Sequence, residues 1–530
     1  MIQVGQILFI LSVLVILHEF GHYITARMFK VRVEKFYLFM DAGFSLLKKK
    51  IGDTEWGIGW LPIGGYVKLA GMVDESMDME QMKQEPQPWE FRSKPAWQRL
   101  IIMLGGIIVN VLLAWFLYTV VYTTYGQKYV STEKIQQNGL SFGETGLSAG
   151  FKNGDKILAV DGTYQPRFNR MVLDALLGDN IEIERNGEKK TIVLSDEHKA
   201  QILAKEGRDF VGARNLISQI VIDSVAPVKN NPSVFMAGDK IQMLNNKSFV
   251  YFDEFTDELK NQKGKTVPVT VLRKDAPVTL SLTIDKDGEA GFGKSIFLAQ
   301  SMDMTDSSVN EIVPGSEADK AKLQEKDVIL GFNNRIYENF FDFKAKLSQS
   351  ANKDITLNIL RGTQRMNLPA HVGKNGKLGF ILKPNNQPSY EIVNKLSVAE
   401  AFPEAVKESW QLLIYNVKQF KLILRPKTEA YKHVKSPVGI ARALPDTWNW
   451  EFIWNFTALF SIGLAFMNLL PIPGLDGGHA LFTIAEMITG KTLSEKAMGH
   501  VQTAGMIILL TLMVLTFGKD IYQLVADKLL

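Results

Sequence analysis

Cysteine is absent from all 530 residues, so neither a disulfide nor a thiolate metal site can form, and any metal must be held by imidazole and carboxylate. Histidine is scarce too, at seven residues, so the placement of each one matters. A formal net charge of only +4 lacks the electrostatic footprint of a nucleic-acid binder, and no nucleic-acid partner is expected. Basic residues are missing ahead of the first apolar run, and no small-x-small cleavage site follows it. That pattern argues against a signal peptide and for a membrane span.

Long apolar runs lie near both ends of the chain, and a middle section, about 128 to 395, reads as water-soluble protein. Four stretches approach the roughly 20 apolar residues that a bilayer crossing needs: 5 to 24, 100 to 124, 452 to 472 and 501 to 518. The expected fold class is therefore a polytopic α-helical membrane protein with four transmembrane helices and a water-exposed insert. Arg27, Lys30, Arg32 and Lys35 follow the first run, and Lys94 and Arg99 precede the second. By the positive-inside rule the connector between them is cytoplasmic, which puts both termini and the insert outside. In a bacterium this means the inner membrane, with the insert in the periplasm.

The first run ends in H18-E-F-G-H22, three ionisable groups in a helix otherwise suited to lipid. Residues four apart share a helix face, so His18 and His22 can reach one ion while Glu19 stands beside them. This is the H-E-x-x-H arrangement, in which two imidazoles hold Zn²⁺ and the carboxylate acts on water. Chance produces such a pentad in roughly one chain in two hundred. Ionisable groups inside a span are costly unless they have partners, so a third ligand is required. It is sought in "FMNLLPIPGLDGGHAL", 466 to 481, where Pro471 and Pro473 break the third span and free polar groups at depth. With two crossings between them, HEFGH and LDGG fall at the same end of the membrane. Asp476 is the choice for third ligand, with His479 as the alternative, and a fourth position stays open as a catalytic zinc needs.

Taken together, HEFGH on a first span and N468-x-x-P-x-P-x-x-D476-G-G on a third resemble the site-2 protease family of intramembrane zinc metalloproteases, in its RseP-like branch. The resemblance covers nearly the whole chain. It implies one Zn²⁺ per chain held by His18, His22 and Asp476, with Glu19 as general base. Asn468 would bind the substrate backbone or the developing oxyanion, beside Pro471 and Pro473. It also implies a single-span membrane protein as substrate, cut within the lipid bilayer after trimming on its outer side. An anti-sigma factor is one such substrate, and a remnant signal peptide another.

"TEWGIGWLPIGGYVKLAGM", 54 to 72, alternates around Gly64-Gly65 and predicts a β-hairpin. By resemblance it is a membrane-re-entrant β-loop whose edge, with Gly64, Gly65, Tyr66 and Val67, adds an unwound substrate segment as a strand. Where the family carries a Gly-Phe-Gly-type turn, this chain has Gly43-Phe44-Ser45. In the insert an acidic residue, an apolar strand, a turn, a helix and a strand ending in Arg recur three times. The acid–Arg pairs are Asp155 and Arg185, Asp239 and Arg273, Asp327 and Arg361. Such units look like a tandem of PDZ domains, which bind peptide termini in a groove or act as a steric filter.

The expected organisation is a first transmembrane helix at 1–25, a cytoplasmic and re-entrant segment at 26–99, and a second helix at 100–125. PDZ-like units follow at 126–215 (partial or permuted), 216–295 and 296–390. An amphipathic interfacial helix is expected at 398–426, a third transmembrane helix at 450–480 and a fourth at 500–520. The active site faces the cytoplasmic side. The rival readings are a catalytically inactive PDZ-bearing membrane scaffold and a membrane-anchored peptidase for soluble substrates. Intact metal motifs argue against the first, and motif depth against the second.

Overall fold

The computed structural model describes residues 2–72, 85–226, 234–274, 276–292, 295–300, 304, 307–337, 340–384, 390–442, 444–491 and 495–529. Residues 73–84 of the expected inner segment, and 301–303 and 385–389 of the third expected insert unit, lie outside this set. Two compact units are present, Met1–Lys128 with Val393–Leu530, and Tyr129–Ile392.

The first unit is built on helices α1 (Ile2–Met28), α2 (Ala96–Thr124), α3 (Val398–Ile423), α4 (Trp450–Leu469), α5 (Asp476–Thr489) and α6 (Glu495–Leu529). Among the described residues four stretches are long and apolar enough to cross a membrane: α1, α2, α4 and Gly499–Asp520 within α6. In lipid a backbone must satisfy its own hydrogen bonds, so these apolar runs have helix as their only open-ended option. At 27 residues α1 is about 40 Å long and outreaches a roughly 30 Å hydrocarbon core; α4, at 20 residues, just spans it.

Helix α2 is the hub, with α1, α3, α4 and α5 all packing against it. Apolar side chains gain little from leaving lipid for one another, so close backbone approach has to do the joining. Gly21 of α1 and Gly105 of α2 supply it: a Cβ on Gly105 would lie 2.6 Å from the Gly21 carbonyl oxygen, and one on Gly21 would strike the Gly105 carbonyl. Helix α3 also packs on α2. Its small face, Ala401 and Ala405, is buried against Leu117, Tyr118 and Val121, while Trp410, Ile414 and Val417 remain exposed.

Two expectations need correction. The third span does not run on as helix to 480: α4 stops at Leu469, and Asp476 opens the separate helix α5. Pro471 and Pro473 lack the N–H that would continue the ladder. Gly477 and Gly478 let α5 fold back tightly; a Cβ on Gly478 would lie 2.6 Å from the Ile472 carbonyl oxygen. Likewise, 54–72 is not a hairpin turning at Gly64-Gly65. Strands β1 (Val33–Ile51) and β2 (Thr54–Leu69) form one irregular sheet in which both arms of β2 flank the start of β1. Phe36 has Val67 on one side and Trp56 on the other, while Ser45–Ile51 pairs with Thr54–Gly59. Between Ile58 and Gly65, a stretch that includes Gly64 at φ +72°, β2 reverses direction, but its two arms pair with β1 lying between them and not with each other. The stretch Gly65–Leu69 is left as an edge, with no strand on its outer side among the described residues.

The second unit contains three successive β-rich bodies, each with its own buried core. In the first, Leu140, Phe151, Ile181, Ile183 and Phe210 form a core between a three-stranded and a two-stranded sheet. The next two each combine a four-stranded with a two-stranded sheet. The acid–Arg repeat is a clamp in all three. Asp155, Asp239 and Asp327 are essentially fully buried, and each takes two hydrogen bonds of 2.6–2.8 Å from Arg185, Arg273 and Arg361 respectively. The same arginines reach the carbonyls of Gly150, Val234 and Lys322, tying the loop before each strand to the strand ending in Arg. Removing Arg361 strands a buried carboxylate, at a cost of about 3–5 kcal/mol. Arg361→Ala should therefore abolish amide-exchange protection across Val328–Arg361 of the full-length protein; unchanged protection would contradict the clamp.

Candidate active site

The two distant motifs meet. His18 Nε2 and His22 Nε2 each lie 3.3 Å from Asp476 Oδ2, and 3.4 Å from one another. Helix α1 places both imidazoles on one face four residues apart, and the fold-back after α4 delivers Asp476 in the first turn of α5. There the helix dipole favours a negative charge. Both histidines are buried.

Three ligand-type atoms at these separations fit a metal. Arms of 2.0–2.1 Å to a tetrahedral Zn²⁺ put ligand atoms about 3.3–3.4 Å apart, as the three pairs are here. Asp476 Oδ2 is buried with no hydrogen-bond partner, an orphaned acceptor that a cation between the three groups would satisfy. Among the described residues this is the group of His and carboxylate side chains close enough to share an ion. His479, the alternative ligand, lies outside it and instead meets the Gln502 side chain at 2.8 Å.

Helix α2, which carries no ligand, shapes the site from behind. The His22 Nδ1–H donates to the Ile102 carbonyl at 2.9 Å, which leaves the Nε2 lone pair free to face Asp476. The Asn110 side chain stands 3.1 Å from His18 Nδ1. Between them Gly106 makes room: a Cβ there would lie 2.5 Å from both His18 Cε1 and His22 Nε2. Sequence reasoning passed over Asn110, Gly105 and Gly106. The signal was present, since a lone Asn and a Gly pair interrupt the otherwise apolar run IIMLGGIIVNVLLAW.

A cavity of about 690 Å³ opens beside the three groups. Its wall includes Glu19, Asn468, Gly64, Gly65, Tyr66 and Val67, so the catalytic and strand residues expected from the sequence border one space. Asn468 Nδ2 lies 3.1 Å from His18 Nε2. The edge strand passes directly over α1, where a Cβ on Gly65 would come within 3.3 Å of Glu19 Cγ. Pro471 and Pro473, expected among the substrate contacts, do not line the cavity. Their place is the break that ends α4.

Comparison with known proteins identifies the family. The family description "Peptidase family M50" matches residues 6–512. The chain is 25% identical over 522 residues to a Xylella fastidiosa protein and 26% identical over 532 residues to a Thermotoga maritima protein, both bearing zinc-metalloprotease names. It is also 25% identical over 533 residues to the regulator of sigma-E protease RseP of Escherichia coli. In each case 96–97% of both chains is covered. The chain therefore belongs to peptidase family M50, the site-2 protease family of zinc metalloproteases.

Proposed function

We propose that this metalloprotease cuts single-span membrane proteins within the inner membrane, with His18, His22 and Asp476 holding one zinc ion and Glu19 as the proton carrier. The convergence of the three ligand atoms at 3.3–3.4 Å, beside a cavity walled by Glu19 and an edge strand, carries the reading. When bound, zinc supplies Lewis acidity, polarising a carbonyl and lowering the pKa of water towards neutrality. Glu19 takes the proton of the attacking water on its carboxylate and returns it to the amine nitrogen of the leaving strand. Asn468 offers its side-chain N–H to the carbonyl oxygen as negative charge develops there.

A peptide bond in a helix is shielded by its own hydrogen bonds, so a substrate must be unwound before attack. The edge at Gly65–Leu69 offers backbone groups that replace those bonds, and Tyr66 and Val67 contact alternate side chains. The basic residues after α1 and before α2 favour a cytoplasmic active site, with both termini and the insert periplasmic. The repeated β-rich bodies suit PDZ-like modules that bind peptide termini or exclude substrates with bulky outer domains. A substrate such as a pre-trimmed anti-sigma factor, or a remnant signal peptide, meets these requirements.

Metal removal tests the reading. Purified protein should contain stoichiometric zinc, and a strong chelator should abolish cleavage of a single-span reporter until zinc is restored. Full cleavage by metal-free protein would exclude the proposed chemistry, and cleavage of soluble casein without lipid or detergent would exclude the proposed substrate class.

A further inference from the structure

We infer that Asn110 is a positioning residue for the metal centre. Its side-chain oxygen accepts the Nδ1 hydrogen of His18 and thereby keeps the Nε2 lone pair of that ring pointed at Asp476 and His22. The inference rests on the metal reading above.

Asn110 sits mid-way along α2 with no exposed surface. The structure places its amide nitrogen Nδ2 3.1 Å from His18 Nδ1, and leaves Asn110 Oδ1 buried without a hydrogen-bond partner. The two ends of an amide have nearly the same shape, so hydrogen-bond chemistry decides which one faces the ring. If the NH₂ donated to Nδ1, the ring hydrogen would sit on Nε2. It would then project into the space between Asp476 Oδ2, at 3.3 Å, and His22 Nε2, at 3.4 Å, and block coordination there. With the oxygen towards the ring, Nδ1 donates and Nε2 is free.

His22 shows the same device with no ambiguity, because its Nδ1 partner, the Ile102 carbonyl, can only accept. The two rings are thus tied to one helix by equivalent bonds, one to backbone and one to a side chain. The support is itself braced: Ser461 of α4 donates its hydroxyl hydrogen to the Asn110 backbone oxygen at 2.7 Å. Partners of this kind orient a ligating imidazole and raise its basicity.

The test is zinc affinity of the full-length protein in lipid nanodiscs, measured by competition with a chromogenic chelator. Asn110→Leu keeps the size and removes the acceptor, and should weaken zinc binding by about 10–100-fold. Asn110→Asp can accept but not donate, and should hold zinc close to the wild-type level. Wild-type affinity in Asn110→Leu would overturn the proposal. So would equal losses in the Leu and Asp variants with unchanged thermal unfolding, which would assign Asn110 to donation or packing. His18→Ala serves as the reference: undiminished zinc in that variant would sink the underlying metal reading, whatever the Asn110 variants do.

Discussion

Glu19→Gln should keep its zinc and lose its activity. The substitution preserves shape and hydrogen-bonding capacity but removes the only function assigned to this side chain, carrying a proton. General acid–base catalysis of this kind contributes about 10²–10⁴-fold. Cleavage of a single-span reporter should fall by at least that range, because the same carboxylate both takes the proton and returns it. Zinc content should remain that of the wild type, since the proposed ligand atoms belong to His18, His22 and Asp476. Retained cleavage would remove Glu19 from the mechanism. Loss of zinc together with activity would instead place it in the coordination sphere.

Gly106→Ala reverses the pattern, acting on the metal without touching an ionisable group. The added methyl would lie 2.5 Å from both imidazoles and 2.7 Å from His18 Nδ1, so the rings must move. Overpacking of this kind costs about 1–3 kcal/mol, and if the strain falls on the bound state it lowers zinc affinity by roughly tenfold to a hundredfold. Cleavage should fall further, because a misplacement of about 1 Å near a reacting centre can cost 10²-fold. Gly463→Ala is the control. It lies in α4 with nothing within 4 Å of an added Cβ, and should leave zinc binding and cleavage unchanged. Equal behaviour of the two variants would mean that the rings tolerate the methyl.

The parts of the site that could be read from sequence were those that break a physical rule loudly. Two histidines and a glutamate at helical spacing in an apolar run, and an Asp after two prolines at the end of another, are each expensive without a partner. The acid–Arg pairs of the insert were legible for a related reason: a buried aspartate needs its arginine, and the spacing repeats. Support groups were harder to see. Asn110 violates the same rule as His18 but lacks a motif, and the value of Gly106 lies in empty space that only the imidazoles define. The sheet was misread because alternation around Gly64-Gly65 looks local, whereas the partner of both arms is the earlier strand Val33–Ile51. Long-range pairing leaves no periodicity of its own. On α3 the large residues Trp410, Ile414 and Val417 are exposed while Ala401 and Ala405 pack on α2, because helices in lipid join through small residues.

One consequence of the fold-back after α4 concerns timing. His18 and His22 are synthesised more than 450 residues before their carboxylate partner, Asp476. Until that late turn has been threaded into place the centre is two imidazoles without a countercharge. A nascent chain that has not yet reached Asp476 therefore lacks one of the three groups proposed to hold the metal. Contact between residues so far apart makes the centre depend on all of the intervening chain having been made.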